Sequence, residues 1–342
     1  TVYRDSKPYT LTDEESKQVE EYYEWKNENL PDNEYAGISK GKNLIVIQVA
    51  SLEDFVIGKS INGQEITPNL NKIINQSLYF PNIYEQVNEG TSSDCDLMIN
   101  TSMLPLRRGC TFFRYPNTTY NSLPKILGSQ GYSQISMHPD KGSFWNYANA
   151  LKGGIDFENF IDYFSFNHDD EIGMGISDKS YFSQVADKLK DLSTPFYAHT
   201  ITLTNHGPFD LPAEMRQLSL DSELNASELG GYFESVHYTD AAIGEFLNKL
   251  DAEGLLDNTT IVITGDHTGV HKYYNHGIES LSNKEDWFLD NGEPTVPFII
   301  YNKNSTVQPK TFDTIGGQID IMPTLLYILG VDSNVYENTA LG

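Results

Sequence analysis

The segment Thr264-Gly265-Asp266-His267-Thr268-Gly269 follows the apolar run Ile261-Val262-Ile263. An aspartate beside a histidine offers a hard oxygen and a nitrogen, and flanking glycines let the backbone come close. The pair suits metal ligation; a turn with a capping aspartate would use the same residues. A second cluster is Glu89-Gly90-Thr91-Ser92-Ser93-Asp94, with Cys95-Asp96-Leu97-Met98 continuing as a predicted helix. Hydroxyls at a helix start meet free N–H groups and the positive end of the dipole, which favour an anion or a nucleophilic oxygen. An ordinary N-cap has the same composition. His138 follows the strand candidate at 132–137, and His206 follows the one at 196–203. Three of the eight histidines, His138, His206 and His267, thus lie just past strand ends.

Those residues need a scaffold that gathers strand ends. Leu44-Ile45-Val46-Ile47-Gln48-Val49-Ala50 is nearly all apolar and rich in β-branched residues, as expected of a strand covered on both faces. Further strand candidates are 261–264, 132–137, 196–203 and 296–301. Helical patterns occupy 69–77, 122–129, 179–189, 235–253 and 319–329. Alternating strands and helices predict an α/β fold with a mostly parallel sheet, helices on both faces and right-handed crossovers. In such sheets ligands gather at the carboxyl ends of the strands. Residues 204–232 and 268–294 read as excursions. Residues 1–42 read as a polar lead-in with one exposed helix, opened by the capping-box pattern Thr12-Asp13-Glu14-Glu15. Residues 43–342 read as one main domain.

Composition bounds the function. The chain has 342 residues with a net charge of -25, 39% hydrophobic residues, 21 Tyr and 17 Phe, which is globular rather than disordered. The acidity excludes bulk attraction to nucleic acid or anionic lipid. No run approaches the roughly 18 apolar residues of a membrane span. The chain starts at Thr1 without a signal peptide and reads as a soluble piece of something larger. Cys95 and Cys110 make neither a disulfide scaffold nor a zinc motif; they are two buried thiols or one disulfide.

Several stretches then resemble one family. Residues 61–72 (INGQEITPNLNK), 121–124 (NSLP), 143–146 (SFWN), 201–206 (ITLTNH), 265–267 (GDH) and 317–324 (GQIDIMPT) fall in order at the spacing of lipoteichoic acid synthase extracellular domains, in the sulfatase/alkaline phosphatase superfamily. The resemblance runs from about Asn43 to Val331. It implies a sulfatase-like sandwich whose smaller C-terminal subdomain is mostly absent here. It also implies phosphoglycerol transfer through a covalent hydroxyl intermediate with a divalent metal, manganese or magnesium. The metal would be held by Asp266, His267 and the nucleophile Ser92, with Thr91 one residue early. His138, His206 and Trp145 would hold the head group.

Two positions depart from the family pattern. The glutamate expected at the end of the first strand is Ala50, with Glu53 and Asp54 close behind, and the pocket arginine is Tyr147. Losing a carboxylate weakens a hard-cation site, and tyrosine supplies a hydroxyl but no charge. The resemblance therefore implies an impaired phosphoglycerol transferase-like enzyme or phosphoesterase, its metal retained or lost. The alternative is an inactive binding module for glycerol phosphate or an anionic cell-wall polymer. A sulfatase comes third, since no Cys/Ser-x-Pro-x-Arg motif is present. The expected partners are a glycerol-phosphate lipid or polymer. The expected place is the outer face of a Gram-positive-type membrane, reached through segments outside this chain or after release by cleavage.

Overall fold

A computed structural model describes residues 9–342. Its nine-stranded sheet is built from β1 (Asn43–Val49), β2 (Ser77–Tyr84), β3 (Ser133–Met137), β4 (Asn159–Ile161), β5 (Phe196–Ile201), β6 (Thr259–Gly265), β7 (Thr295–Asn302), β8 (Lys310–Thr311) and β9 (Gly316–Gly317). The order is β8-β2-β7-β6-β1-β5-β3-β4, with β9 also on β2. From β6 to β4 every pairing is parallel, whereas β7 runs antiparallel to both β6 and β2. The α/β expectation is met.

Strand β2 was not anticipated from the sequence, because Pro81 interrupts its apolar run. A proline cannot donate to a ladder and is tolerated at bulges. The β2–β7 register shifts between Val296 and Phe298, where Pro297 faces the Pro81 region. The excursion at 268–294 contains a helix, Val270–Glu279, and the helix expected at 235–253 begins earlier, at Glu228.

The principal helices are α1 (Asp13–Glu28), α2 (Pro68–Ile74), α3 (Ser92–Thr101), α4 (Leu123–Ser129), α5 (Tyr147–Lys152), α6 (Asp178–Leu189), α7 (Glu228–Ala252), α8 (Val270–Glu279) and α9 (Ile321–Ile328). The Thr12–Glu15 capping box forms as expected. Helix α1 is largely exposed, but its buried Lys26 ammonium donates to the carbonyls of Glu337, Ala340 and Gly342.

Side chains alternate across a strand, so each central strand feeds two cores. Ile45, Ile47 and Val49 of β1, Ile261 and Ile263 of β6 and Ala198 of β5 pack in one core with α6 and α7. Leu44, Val46, Val262 and Tyr197 pack in the other with α3, α4 and α9. Continuing the alternation on that second face gives Gln48 and Ala50, Thr264 and Asp266, His199 and Ile201, and Ser136 and His138. Polar groups at the carboxyl ends of four neighbouring strands therefore point toward α3. Cys95 and Cys110 are free, buried thiols, which settles the alternative left open by the sequence.

The turn after β1 is fixed by Glu53, whose carboxylate accepts from Gly269 N (2.8 Å) and His271 N (3.1 Å) at the start of α8 and pairs with His271 Nδ1 (2.5 Å). Burial opposes the charge on His271, but the hydrogen bond and charge of Glu53 outweigh it and hold the imidazole pKa above its ordinary value. A pKa raised on folding contributes stability fully below the unfolded value of about 6.5 and loses it as pH rises through the folded value. The stability difference between the native protein and His271→Gln should therefore shrink as the pH rises above the unfolded value of about 6.5, measured by denaturant unfolding. Gly265 gives a second test. A Cβ there would lie 2.0 Å from Leu52 O, so Gly265→Ala should lower the unfolding free energy by about 2–3 kcal/mol in the same assay.

Candidate active site

The loop before α3 is folded by its own aspartate. Asp94 Oδ2 accepts from Asn88 N (2.9 Å) and Gly90 N (3.1 Å), and Ser93 Oγ donates to Gly90 O (2.6 Å). A Cβ on Gly90 would meet Asp94 Oδ1 at 2.1 Å, so the packing of this turn requires glycine. Thr91 caps the helix with φ 40°, a conformation that costs a β-branched residue energy and must be imposed by its surroundings. The outcome is that Ser92 stands at the first position of α3, half-buried, with Oγ 3.4 Å from His267 Nε2. Thr91 caps without using its side chain and does not line the cavity that Ser92 lines.

At the end of β6, Asp266 Oδ1 accepts from Ser51 N and from His267 N, both at 2.7 Å. This ties β6 to the turn after β1. His267 Nδ1 lies 2.7 Å from Thr268 O, which assigns the proton to Nδ1 and the lone pair to Nε2. Asp266 Oδ2 is 3.5 Å from that Nε2. Ser92 Oγ, Asp266 Oδ2 and His267 Nε2 thus converge, and this donor set fits a divalent cation as three ligands carrying one negative charge.

No second carboxylate joins them among the described residues. Ala50 sits at the end of β1, its N–H bonded to Thr202 Oγ1 and its carbonyl to Asn205 Nδ2. Glu53 is committed to α8. Asp54 accepts from Tyr79 Oη at 2.5 Å and is pushed up to about 7 by burial, against the lowering effect of that bond. Neither reaches back to the position that Ala50 leaves bare.

A cavity of about 20 Å³ opens beside Ser92, lined by Gln48, Ala50, Asp140, Phe144, Trp145, Tyr147, His206 and Asp266 among others. That volume holds one water and no head group. Trp145 and Asn146 both have positive φ, at 49° and 62°, and Asn146 is held by a bond from its Nδ2 to Phe112 O. His206 Nδ1 lies 2.8 Å from Gly207 O. Tyr147 is 1% exposed, and burial followed by the charges of Asp96 and Asp140 pushes its hydroxyl far above the usual value.

His138 does not line this cavity. It lies fully buried below it, against the Tyr147 ring (centroids 4.3 Å apart). There it meets two residues the sequence reading missed, Asp96 of α3 and His199 of β5. Their ligand atoms all lie within 4.8 Å of one another, the one such group of three His, Cys, Asp or Glu among the described residues. Burial holds His199 down at about 3, holds His138 well below its ordinary value with His199 adding to it, and raises Asp96 well above its own. Asp140, beside His138, is pushed up to about 7, again by burial. A histidine inside a strand otherwise without ionisable carboxylates or amines, His199 in Phe196–Ile201, was the available signal.

A family profile described as Sulfatase matches residues 42–331. Lipoteichoic acid synthase 1 of Bacillus subtilis is 38% identical over 317 residues, covering 90% of this chain and 49% of the relative. The lipoteichoic acid synthase of Staphylococcus aureus (strain USA300) is 34% identical over 322 residues, covering 92% and 49%. The chain thus spans about half the length of the curated relatives it matches. The crystal structure of the lipoteichoic acid synthase LtaP from Listeria monocytogenes superposes with a TM-score of 0.82 at 28% identity, covering 95% of this chain and 80% of that one. Streptococcus pyogenes phosphoglycerol transferase GacH, solved in complex with sn-glycerol-1-phosphate, shares the fold at a TM-score of 0.64 and 18% identity, covering 94% and 82%. With that profile matched over residues 42–331 and its mostly parallel sheet, the chain belongs to the sulfatase family.

Proposed function

We propose that this domain transfers or hydrolyses phosphoglycerol groups, with Ser92 as the attacking oxygen and glycerol-phosphate lipid or polymer as substrate. The observation that carries this reading is the Ser92 Oγ to His267 Nε2 contact of 3.4 Å at the mouth of one small cavity. The lipoteichoic acid synthase relatives support the substrate class.

Ser92 Oγ attacks phosphorus, and the ester bond to the leaving alcohol breaks. The N-terminal end of α3 faces the phosphoryl charge. The serine proton goes to the departing alkoxide, and His206, which lines the same cavity with Nδ1 turned to Gly207 O, would hold the head group. An incoming hydroxyl then displaces Ser92, whose oxygen recovers a proton. Phe144 and Trp145 give the glycerol carbons an apolar wall, and Tyr147 offers a hydroxyl where a cation would bind phosphate more strongly. A divalent cation, manganese or magnesium, held by Asp266, His267 and Ser92 would lower the serine pKa and offset phosphoryl charge. With Ala50 in place of a carboxylate, its affinity and the turnover rate are reduced. The whole protein would work on the outer face of a Gram-positive-type membrane.

A second reading, binding without turnover, is favoured by Ala50 standing where a carboxylate ligand would. Intact-mass spectrometry after incubation with phosphatidylglycerol vesicles and manganese separates the two. Turnover through Ser92 predicts a single phosphoglycerol adduct, lost in Ser92→Ala and kept in Ser92→Thr. A protein that never acquires the adduct and releases no diacylglycerol is a binding module. Ala50→Glu should tighten manganese binding by roughly tenfold or more, read by calorimetry. Unchanged affinity would mean that position 50 does not face the cation.

A further inference from the structure

We infer that Asp96, His138 and His199 form a second metal site, distinct from Ser92, Asp266 and His267, which takes a zinc-like first-row cation and pins the nucleophile helix to the sheet. This inference does not rest on the proposed function, since none of its three ligands lines the cavity beside Ser92.

The geometry is specific. Asp96 Oδ1 lies 3.7 Å from His138 Nε2 and 3.7 Å from His199 Nδ1. These separations are too long for hydrogen bonds. They are close to the ~3.4 Å between ligand atoms around a tetrahedral ion with bonds near 2.0–2.1 Å, so a small contraction closes the site. All three residues are 0% exposed, and Asp96 Oδ1, His138 Nε2 and His199 Nδ1 have no hydrogen-bond partner. Buried polar atoms left without partners call for an explanation, and three that point at one another share a single one. The ion pairs of Asp96 among the described residues are with these two histidines alone, so no lysine or arginine supplies the missing positive charge.

The surroundings are those of ligands held in place. Gln48 Nε2 donates to Asp96 Oδ2 at 3.1 Å, and Gln48 Oε1 lies 3.3 Å from His199 Nε2. That bond puts the His199 proton on Nε2 and frees Nδ1 to ligate. Asp140 Oδ1 stands 3.8 Å from His138 Nδ1, too far for a hydrogen bond, so the His138 ring is held by packing against Tyr147 rather than by a carboxylate behind it. Two imidazoles and one carboxylate without thiolate suit zinc, iron or cobalt better than magnesium or calcium. Asp96 is one helical turn beyond Ser92, and Gln48 also bonds Ser92 O at 3.3 Å. An ion here would tie α3 to β3 and β5 directly beneath the nucleophile.

The test uses the whole 342-residue chain, stripped with chelator under mild denaturation and refolded with one equivalent of zinc. X-ray absorption should report two imidazole ligands and a carboxylate, and thermal unfolding should move to higher temperature with zinc. His199→Gln, checked for folding by circular dichroism, should weaken zinc binding by roughly a hundredfold or more. Asp266→Asn should leave the two-imidazole signal intact. One imidazole in the native protein would place the ion at His267 and overturn the inference. No retained zinc, or retention unchanged in a folded His199→Gln, would do the same. If His199→Gln does not fold, the native spectrum decides alone. A two-imidazole signal without a Ser92 adduct would sink the proposed function and leave this site standing.

Discussion

The site depends on one carboxylate oxygen. Asp266 Oδ1 receives the N–H groups of Ser51 and His267 at once. One donor belongs to the turn after β1 and the other to the end of β6, so the bond sets the relative height of two neighbouring parallel strands. Charge-assisted bonds to backbone N–H are among the stronger ones available to a protein. Ser51 and His267 are placed from that anchor. His267 is turned so that Nε2 looks toward α3, and Ser51, with φ 49°, carries the chain away from β1. With Oδ1 spent on the backbone, only Oδ2 remains for chemistry.

A second constraint comes from covering the sheet on both faces. A polar side chain on a central strand has no solvent to meet, and its cost falls on whatever helix lies above. On the α3 side the chain places Gln48, Ser136, His138, His199, Asp96 and Asp140 in one layer. Such a concentration is expensive unless the groups complete one another, and hydrogen bonds alone do not complete it. The opposite face, with Ile45, Ile47 and Ile263 against α6 and α7, carries the ordinary apolar load.

How much of this could be read from the sequence followed from how local each signal was. The runs Leu44–Val49 and Ile261–Ile263 declared buried strands, and Gly265-Asp266-His267 declared its own position at a strand end. The helix start at Ser92 was legible because hydroxyls after glycine are a local pattern, whereas a chemical role for Ser92 came only from the family resemblance. Asp96 was not, because an aspartate one turn inside a helix looks like any solvated residue until the helix is seated on the sheet. His199 was hidden for the same reason inside β5. The commitment of Glu53 to α8 was also invisible, since its partner His271 is 218 residues away. Strand β2 was obscured by a proline that the bulge tolerates.

The small volume beside Ser92 has a kinetic consequence. A space for one water admits nothing larger until its lining moves, and on one side that lining is Trp145, whose left-handed backbone is followed by a left-handed Asn146 bonded to Phe112 O. Ligand entry then waits on an opening equilibrium that concentration does not accelerate. The observed association rate rises with ligand and levels off at the opening rate, and the measured affinity is weaker than the intrinsic one by the fraction of time spent open.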